Sequence, residues 1–402
     1  MVVIVVNVGS TSLKFKLFEM DDETILAEGK IEGISKEKSE YKFSSKDGII
    51  QQGTESFADY NAGINRILKF LINEAKIIKD IKEITAVGFK TVIAKGINDA
   101  VLLTDDVVEK MEEFIPVAPA HNPSYINAIK NIKQLLPDKS LVGLFEPAFH
   151  KTIPEYAYCY GVPYEWIEKY GIRKYGFHGA SLRYVSERIT NILGKTDLKQ
   201  IICHLGGSSS IGAVKDGKSI DTSMGFSPQS GIPHSTRHGD LDPFVVLYLM
   251  KKENLFVDDM IEKLSKESGL LGISGVSGEM KDIVESAKNG NKRAQLAIDS
   301  FVYNVKKYIG SYIAILEGLD VLVFTGGIGE GSDLIREKIC SGLEFLGIKI
   351  NSQKNKNVPK DIEVEISLSD SKAKIFVVPT NEEIIVARAT VDVVRKHNLG
   401  FK

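Results

Sequence analysis

The stretch Ile201 to Gly212 reads Ile-Ile-Cys-His-Leu-Gly-Gly-Ser-Ser-Ser-Ile-Gly: an apolar run of strand length, a turn of glycines and serines, then a second apolar run. Such a turn presents backbone N–H groups with little side chain in the way, which is what an anion such as phosphate needs. About half the chain earlier, Val3-Ile-Val-Val-Asn-Val-Gly-Ser-Thr-Ser-Leu-Lys14 repeats the pattern. In both, an apolar strand ends in a polar side chain (Asn7, His204), one apolar residue, then glycine and small hydroxylated residues. Two such units predict two related halves, each presenting one loop to a shared cleft. A third glycine loop, Gly326-Gly-Ile-Gly-Glu-Gly331, follows the buried-strand pattern Asp320 to Thr325. It is no dinucleotide fingerprint, because it comes late and lacks the acidic residue after a following strand; nor is there a Gly-Lys-Ser/Thr P-loop. Three loops at strand ends suit a nucleoside triphosphate, against the alternative that each is only a tight turn.

A length of 402 residues allows two or three domains, and 43% apolar with 26% charged residues is ordinary for a globular chain. A net charge of −2 without a dense basic run argues against a nucleic-acid partner. The opening Met1-Val-Val-Ile-Val-Val-Asn7 is too short for a leader and reads as a buried strand; no run reaches membrane-spanning length. Cys159, Cys203 and Cys340 are odd in number and widely spaced, so buried free thiols and a cytoplasmic location are expected.

Strands are predicted at Val2–Val6, Lys14–Phe18, Ile25–Ile31, Thr85–Val92 and Leu141–Phe145, with residues 35–56 polar and undecided. Helices are predicted within 58–79, at Asp105–Glu113 and from Ser124 as N-cap to Leu136. The second half reads as an aromatic-rich stretch Ile153–Val162, a helix ending at Leu193, strand–loop–strand over 201–224 with an Asp216-Gly217 turn, and helices from Pro243 to about Ile315 broken near Gly269–Gly278. Strands Asp320–Thr325 and Ile375–Val378 and a last helix complete an α/β chain. Residues 1–150 with about 384–402 are expected to form one lobe, and 151–383 the other.

Histidines 121, 178, 204, 234 and 238 sit in Gly/Pro-rich or strand-end contexts without zinc-site spacing. Arg237 lies in an aperiodic loop, either as a bidentate clamp on phosphate or carboxylate or as a loop ion pair with Asp240 or Asp242. Glu146 and Glu382 end two strands, where Mg²⁺ ligands would stand.

Taken together, Asn7-Val-Gly-Ser-Thr-Ser-Leu-Lys-Phe15, His121-Asn-Pro123, Tyr175-Gly-Phe-His-Gly179, Cys203-His-Leu-Gly206, Asp221-Thr-Ser-Met-Gly-Phe226, Gly239-Asp-Leu-Asp-Pro243, Gly327-Ile-Gly-Glu330 and Pro379-Thr-Asn-Glu-Glu383 resemble acetate kinases in order along nearly the whole chain. The resemblance implies the duplicated ribonuclease-H-like fold of actin, Hsp70 and sugar kinases. It also implies ATP/ADP with Mg²⁺, transfer of phosphate to a short-chain carboxylate, and a homodimer whose interface lies in the C-terminal lobe. It casts Arg237 and His178 as stabilisers of the transferring phosphoryl group, with Glu146, Lys90 and His121 as further active-site residues. It assigns Asn7 and Glu382 to the metal. Ser10, Ser12, Lys14, His204, Gly206, Gly207, Ser208, Glu279, Lys281, Gly327, Ile328, Gly329, Glu330 and Gly331 fall to the nucleotide. Lys90, Val92, Ala120, Phe177 and Pro228 fall to the acceptor pocket.

This chain also departs from that pattern. Gly88-Phe-Lys-Thr-Val-Ile-Ala-Lys-Gly96 puts Lys90 where acetate kinases carry the arginine expected to hold the acceptor, with Lys95 a second candidate for that duty. Glu146-Pro147 replaces an aspartate and a threonine, Gly207-Ser208 replaces Asn-Gly, and Ala120 replaces a leucine. Phe226-Ser-Pro and His204-Leu-Gly-Gly are similar to butyrate kinases. Acetate, propionate, butyrate or a bulkier relative is therefore expected as acceptor; the alternatives are another small acceptor or a catalytically weak nucleotide-binding homologue acting as a sensor or partner protein.

Overall fold

The computed structural model describes residues 1–9, 11–119 and 121–398. The chain forms two compact units, Met1–Ala148 with Asn381–Lys402, and Phe149–Thr380.

The first unit carries strands β1 (Val2–Val8), β2 (Ser12–Glu19), β3 (Thr24–Glu32), β4 (Ser39–Ser45), β5 (Ile50–Glu55), β6 (Ile84–Thr91), β7 (Ala100–Leu102) and β8 (Ser140–Phe145), in the sheet order β5-β4-β3-β2-β1-β6-β8-β7. The second carries β9 (Lys199–His204), β10 (Ser210–Lys215), β11 (Lys218–Thr222), β12 (Val321–Thr325), β13 (Val364–Glu365) and β14 (Lys374–Val377), in the order β11-β10-β9-β12-β14-β13. Strands β3-β2-β1-β6-β8 and β11-β10-β9-β12-β14 correspond one to one. In each set the first strand in sequence pairs antiparallel with the second and parallel with the fourth. The last parallel strand of each set gains an antiparallel neighbour, β7 or β13. The duplication inferred from two loops is thus a duplication of whole sheets, the α/β fold of the actin, Hsp70 and sugar-kinase class.

Burial explains the strand patterns. β1 is apolar without alternation because it is covered on both faces, whereas β2 alternates, burying Leu13, Phe15 and Leu17 and exposing Lys14. The undecided segment 35–56 forms β4 and β5; β5 has no buried residue, as suits a sheet edge, and so shows no hydrophobic period. Helices Tyr60–Lys69 and Asn122–Leu135 cover one face of the first sheet, and Glu382–Asn398 covers the other. A Cβ at Gly88 on β6 would lie 2.4 Å from Thr390 Oγ1, so glycine there lets the last helix approach closely. In the second unit Lys292–Leu316 and Gly179–Leu193 take the corresponding places. The Asp216-Gly217 turn has φ of 53° and 74°, the paired positive values of a tight hairpin.

Local expectations need correcting in five places. The helix assigned to Ser124 as N-cap starts at Asn122, with Pro123 in its first turn. The 58–79 segment changes at Phe70 into a π-helical turn ending at Glu74. Ile153–Val162 contains a short helix, Glu155–Tyr158. The break near Gly269 contains the helix Gly269–Ser274. Cys203 and Cys340 are buried free thiols, but Cys159 is exposed, in a stretch that also exposes Tyr156, Tyr164 and Trp166.

Candidate active-site residues

In the first unit the turn between β1 and β2 closes through Gly9 N donating to Ser12 O at 2.9 Å. A Cβ at Gly9 would lie 2.4 Å from Ser12 Oγ, so a larger residue there would force the serine hydroxyl to move. Ser12 is half-buried and Lys14 exposed, opposite Asn7 in the hairpin register. Ser10 lies outside the described residues.

Lys90, Glu146 and Glu382 come together here. Lys90 stands near the end of β6, and Glu146 directly follows the neighbouring parallel strand β8, its N–H donating to Val92 O at 3.3 Å. Glu382 opens the helix laid across both strands. Lys90 Nζ reaches Glu146 Oε1 at 2.9 Å and also pairs with Glu382 Oε2, all three side chains being largely buried. Burial opposes the ammonium charge, but Glu146 and then Glu382 outweigh it and hold Lys90 well above the usual lysine pKa. Beside them Tyr125 donates to Asn7 Oδ1 at 3.0 Å and accepts from Val8 N at 3.3 Å. Burial pushes the Tyr125 phenol up, so it remains a donor. Tyr125 was missed in the sequence because it looks like one apolar position of the helical stripe. His121 is half-buried just before that helix, and Val92 is half-buried beyond Lys90. Lys95 pairs with Glu113 at 2.6 Å on the surface, away from the Lys90 cluster's partners. Ala120 lies outside the described residues.

The second unit gathers the histidines. His178 sits at φ 58° just before the helix Gly179–Leu193, its Nδ1 2.9 Å from Ser210 Oγ. Its ring stacks on His204 with centroids 4.1 Å apart. His204 Nδ1 lies 2.8 Å from Ser181 Oγ, which Thr380 contacts at 2.9 Å. Buried Ser209 spans the loop, its Oγ bonding Gly206 N at 3.0 Å and Gly206 O at 2.9 Å. Its N–H donates to His234 Nδ1 at 3.1 Å. Burial keeps His234 neutral, and Ser235 N donates to Gly207 O at 2.9 Å. Ser209, Ser210 and Ser181 were not singled out in the sequence, where neighbouring serines are indistinguishable.

The third loop joins the second. Leu205 O accepts from Ile328 N at 2.8 Å and from Gly329 N at 3.1 Å. Gly326, at φ 77°, would place a Cβ 2.8 Å from Leu205 O. Gly327 to Gly331 form a short helix, and Glu330 Oε1 accepts from Gly326 N at 2.8 Å, so that carboxylate braces its own loop. Fully buried Arg336 donates to Gly329 O at 2.8 Å and Glu330 O at 2.7 Å from behind. Ser235 donates to Gly278 O at 2.9 Å, tying in the chain just before exposed Glu279; Lys281 is exposed on the helix that follows. Ser208 is half-buried and Gly207 exposed in the same turn.

Arg237 gives the clearest electrostatic signal. Its Nη1 donates to the carbonyl of buried Pro228, and it makes no salt bridge among the described residues. The ion-pair alternative is not realised: Asp240 accepts from Gly231 N at 2.9 Å and Tyr308 OH at 2.6 Å, and Asp242 caps the helix Pro243–Glu253. Burial alone pulls the guanidinium pKa down to about 10, leaving a protonated, desolvated cation without a counter-ion. Buried Phe177 packs nearby in sequence to His178, its carbonyl accepting from His150 Nε2 at 3.0 Å; burial holds His150 neutral with a pKa of about 4.

A model of the acetokinase family matches residues 2–388. Acetate kinase from Thermoanaerobacterium thermosaccharolyticum is 47% identical over 399 residues, covering 98% of this chain and 99% of its own. That of Clostridium novyi is 45% identical, covering 99% of this chain and all of its own. Among solved structures, Porphyromonas gingivalis acetate kinase superposes with a TM-score of 0.87 at 40% identity, covering 98% and 99% of the two chains. A Francisella tularensis propionate kinase gives 0.88 at 37%, with the same coverage. Identity of this extent over nearly the whole chain makes it a member of the acetokinase family.

Proposed function

We propose that the protein transfers the γ-phosphoryl group of ATP, reversibly, to a short-chain carboxylate. A carboxylate oxygen forms the new bond to phosphorus, the bond to the bridging oxygen breaks, and its electron pair leaves with ADP, giving an acyl phosphate. The observation that carries this reading is Arg237, half-buried, bonded to the Pro228 carbonyl and without a salt bridge among the described residues. A transferring phosphoryl group spreads negative charge over its equatorial oxygens, and a desolvated arginine with no carboxylate of its own is suited to receive it. His178, fixed by Ser210, is the second donor to that charge. The Gly206–Ser209 and Gly326–Gly331 loops, joined through Leu205, bind the nucleotide. Relatives named acetate kinase and propionate kinase place the acceptor among small carboxylates and favour catalysis over nucleotide binding alone.

Asn7, Glu146 and Glu382 are the hard oxygen donors Mg²⁺ takes, and Mg²⁺ would supply charge neutralisation on the phosphates. Among the described residues no three His, Cys, Asp or Glu form a metal cage, which suits an ion that keeps water and phosphate ligands. Trapping acyl phosphate with hydroxylamine across acetate, propionate, butyrate and isobutyrate tests the function. Turnover with at least one supports it; none, with ATP still bound, rejects it.

A homodimer is part of the same reading. The helix Pro243–Glu253 buries none of its residues, leaving Phe244, Leu247 and Tyr248 exposed, with Phe256 and Val257 beside it. An apolar face of this kind is covered by a second copy of the chain. Sedimentation should report a dimer that Phe244→Glu weakens. No described helix is long and apolar enough to cross a membrane, and we assign the enzyme to the cytoplasm.

A further inference from the structure

We propose that Lys90 is a resident counter-cation for Glu146 and Glu382, and that a divalent ion gains those carboxylates only by displacing its ammonium; this rests on the metal assignment above. The covalent frame enforces the contact. β6 and β8 run parallel in register, Lys90 opposite Leu144, so the lysine and the residue after β8 leave the sheet at one end. The last helix begins over the same strands and delivers Glu382. Nζ reaches Glu146 Oε1 at 2.9 Å while also pairing with Glu382, so one ammonium holds one oxygen of each carboxylate.

Charge and shape make it a competitor. Two carboxylates and one ammonium sum to −1, a site already half neutralised. Adding a divalent ion with the ammonium in place would set two cations on the same oxygens in a poorly solvated pocket. Lysine, a point charge on a flexible stem, can withdraw by rotating its side chain, whereas a planar guanidinium fork would hold both partners more rigidly. Asn7 Oδ1 is held separately by Tyr125 and does not need Lys90 to keep its place. The consequence is selective: bare metal binds poorly, and the phosphates of an arriving nucleotide supply the extra ligands that let it enter.

Manganese(II), titrated into the full-length, nucleotide-free protein and followed by the electron-paramagnetic signal of the free ion, tests this. Lys90→Met should bind Mn²⁺ at least about tenfold more tightly than the unaltered chain, a coupling of ordinary size between competing ligands. Adding Glu382→Gln should remove that binding. Lys90→Gln, which keeps a neutral donor between the carboxylates, serves if the methionine variant folds poorly, and Mn²⁺ should raise its Tm more than that of the unaltered chain. Equal, Glu382-dependent affinities with and without Lys90 would overturn the displacement while leaving the metal assignment standing. No Glu382-dependent Mn²⁺ binding in any variant would overturn both.

Discussion

The first unit sets a cation among its buried carboxylates, while the second holds a cation with no carboxylate beside it among the described residues. Lys90 sits between Glu146 and Glu382, one ammonium shared by two carboxylates. Arg237 is half-buried, yet the acids that follow it in sequence are engaged with Tyr308 and with a helix N-terminus. A cluster that already holds one counter-cation must be opened before a second cation can enter. An uncompensated cation costs stability and awaits an anion. The two units therefore treat buried charge by opposite electrostatic means.

Removing Arg237 should separate function from stability most sharply. Arg237→Ala is expected to lower kcat by about 10³-fold, the scale of a phosphoryl-stabilising arginine, with nucleotide affinity largely kept. Undiminished turnover in a coupled ADP assay would break the contrast at its catalytic end. Stability should run in opposite directions at the two sites. Lys90→Met leaves two buried carboxylates facing each other and should cost about 3 kcal/mol in denaturant unfolding. Arg237→Met removes an unanswered charge and should leave Tm unchanged or raised.

A smaller effect concerns pH. His150, neutral between Ser219 and Phe177 with its pKa lowered to about 4 by burial, takes up no proton over the range where the unfolded histidine does. Stability present above the ordinary histidine pKa should therefore decline as pH falls from about 6.5 toward 4, by about 1 kcal/mol per unit for this one group. His150→Gln should flatten that slope; an unchanged slope would locate the acid sensitivity elsewhere. The least effect is expected for Tyr125→Phe, which loses the bonds to Asn7 and Val8 and should cost about 1 kcal/mol.

Much of the frame was legible because its signals are local. The strand that ends at Asn7, the strand that ends at His204 and the acidic helix Asp105–Glu113 declare themselves by period and punctuation, and the structure has them in place. The segment 35–56 was illegible because edge strands bury too little to show a pattern. Tyr125 and Ser209 were illegible for another reason. A tyrosine on a helical stripe and one serine among three are distinguished only by what they meet, here Asn7 and His234.

By itself the sequence determined the α/β class, the doubling of the strand–loop unit and the family, since each follows from residue types in order. Only the tertiary structure decided how the charges pair. Asp240, three residues from Arg237, was one of two alternative partners for it and instead bonds Tyr308, while Lys90 found Glu382 at the far end of the chain. Sequence proximity sets which groups can meet cheaply. Strand register and helix packing decide which are buried together, and burial is what gives a charge pair its strength.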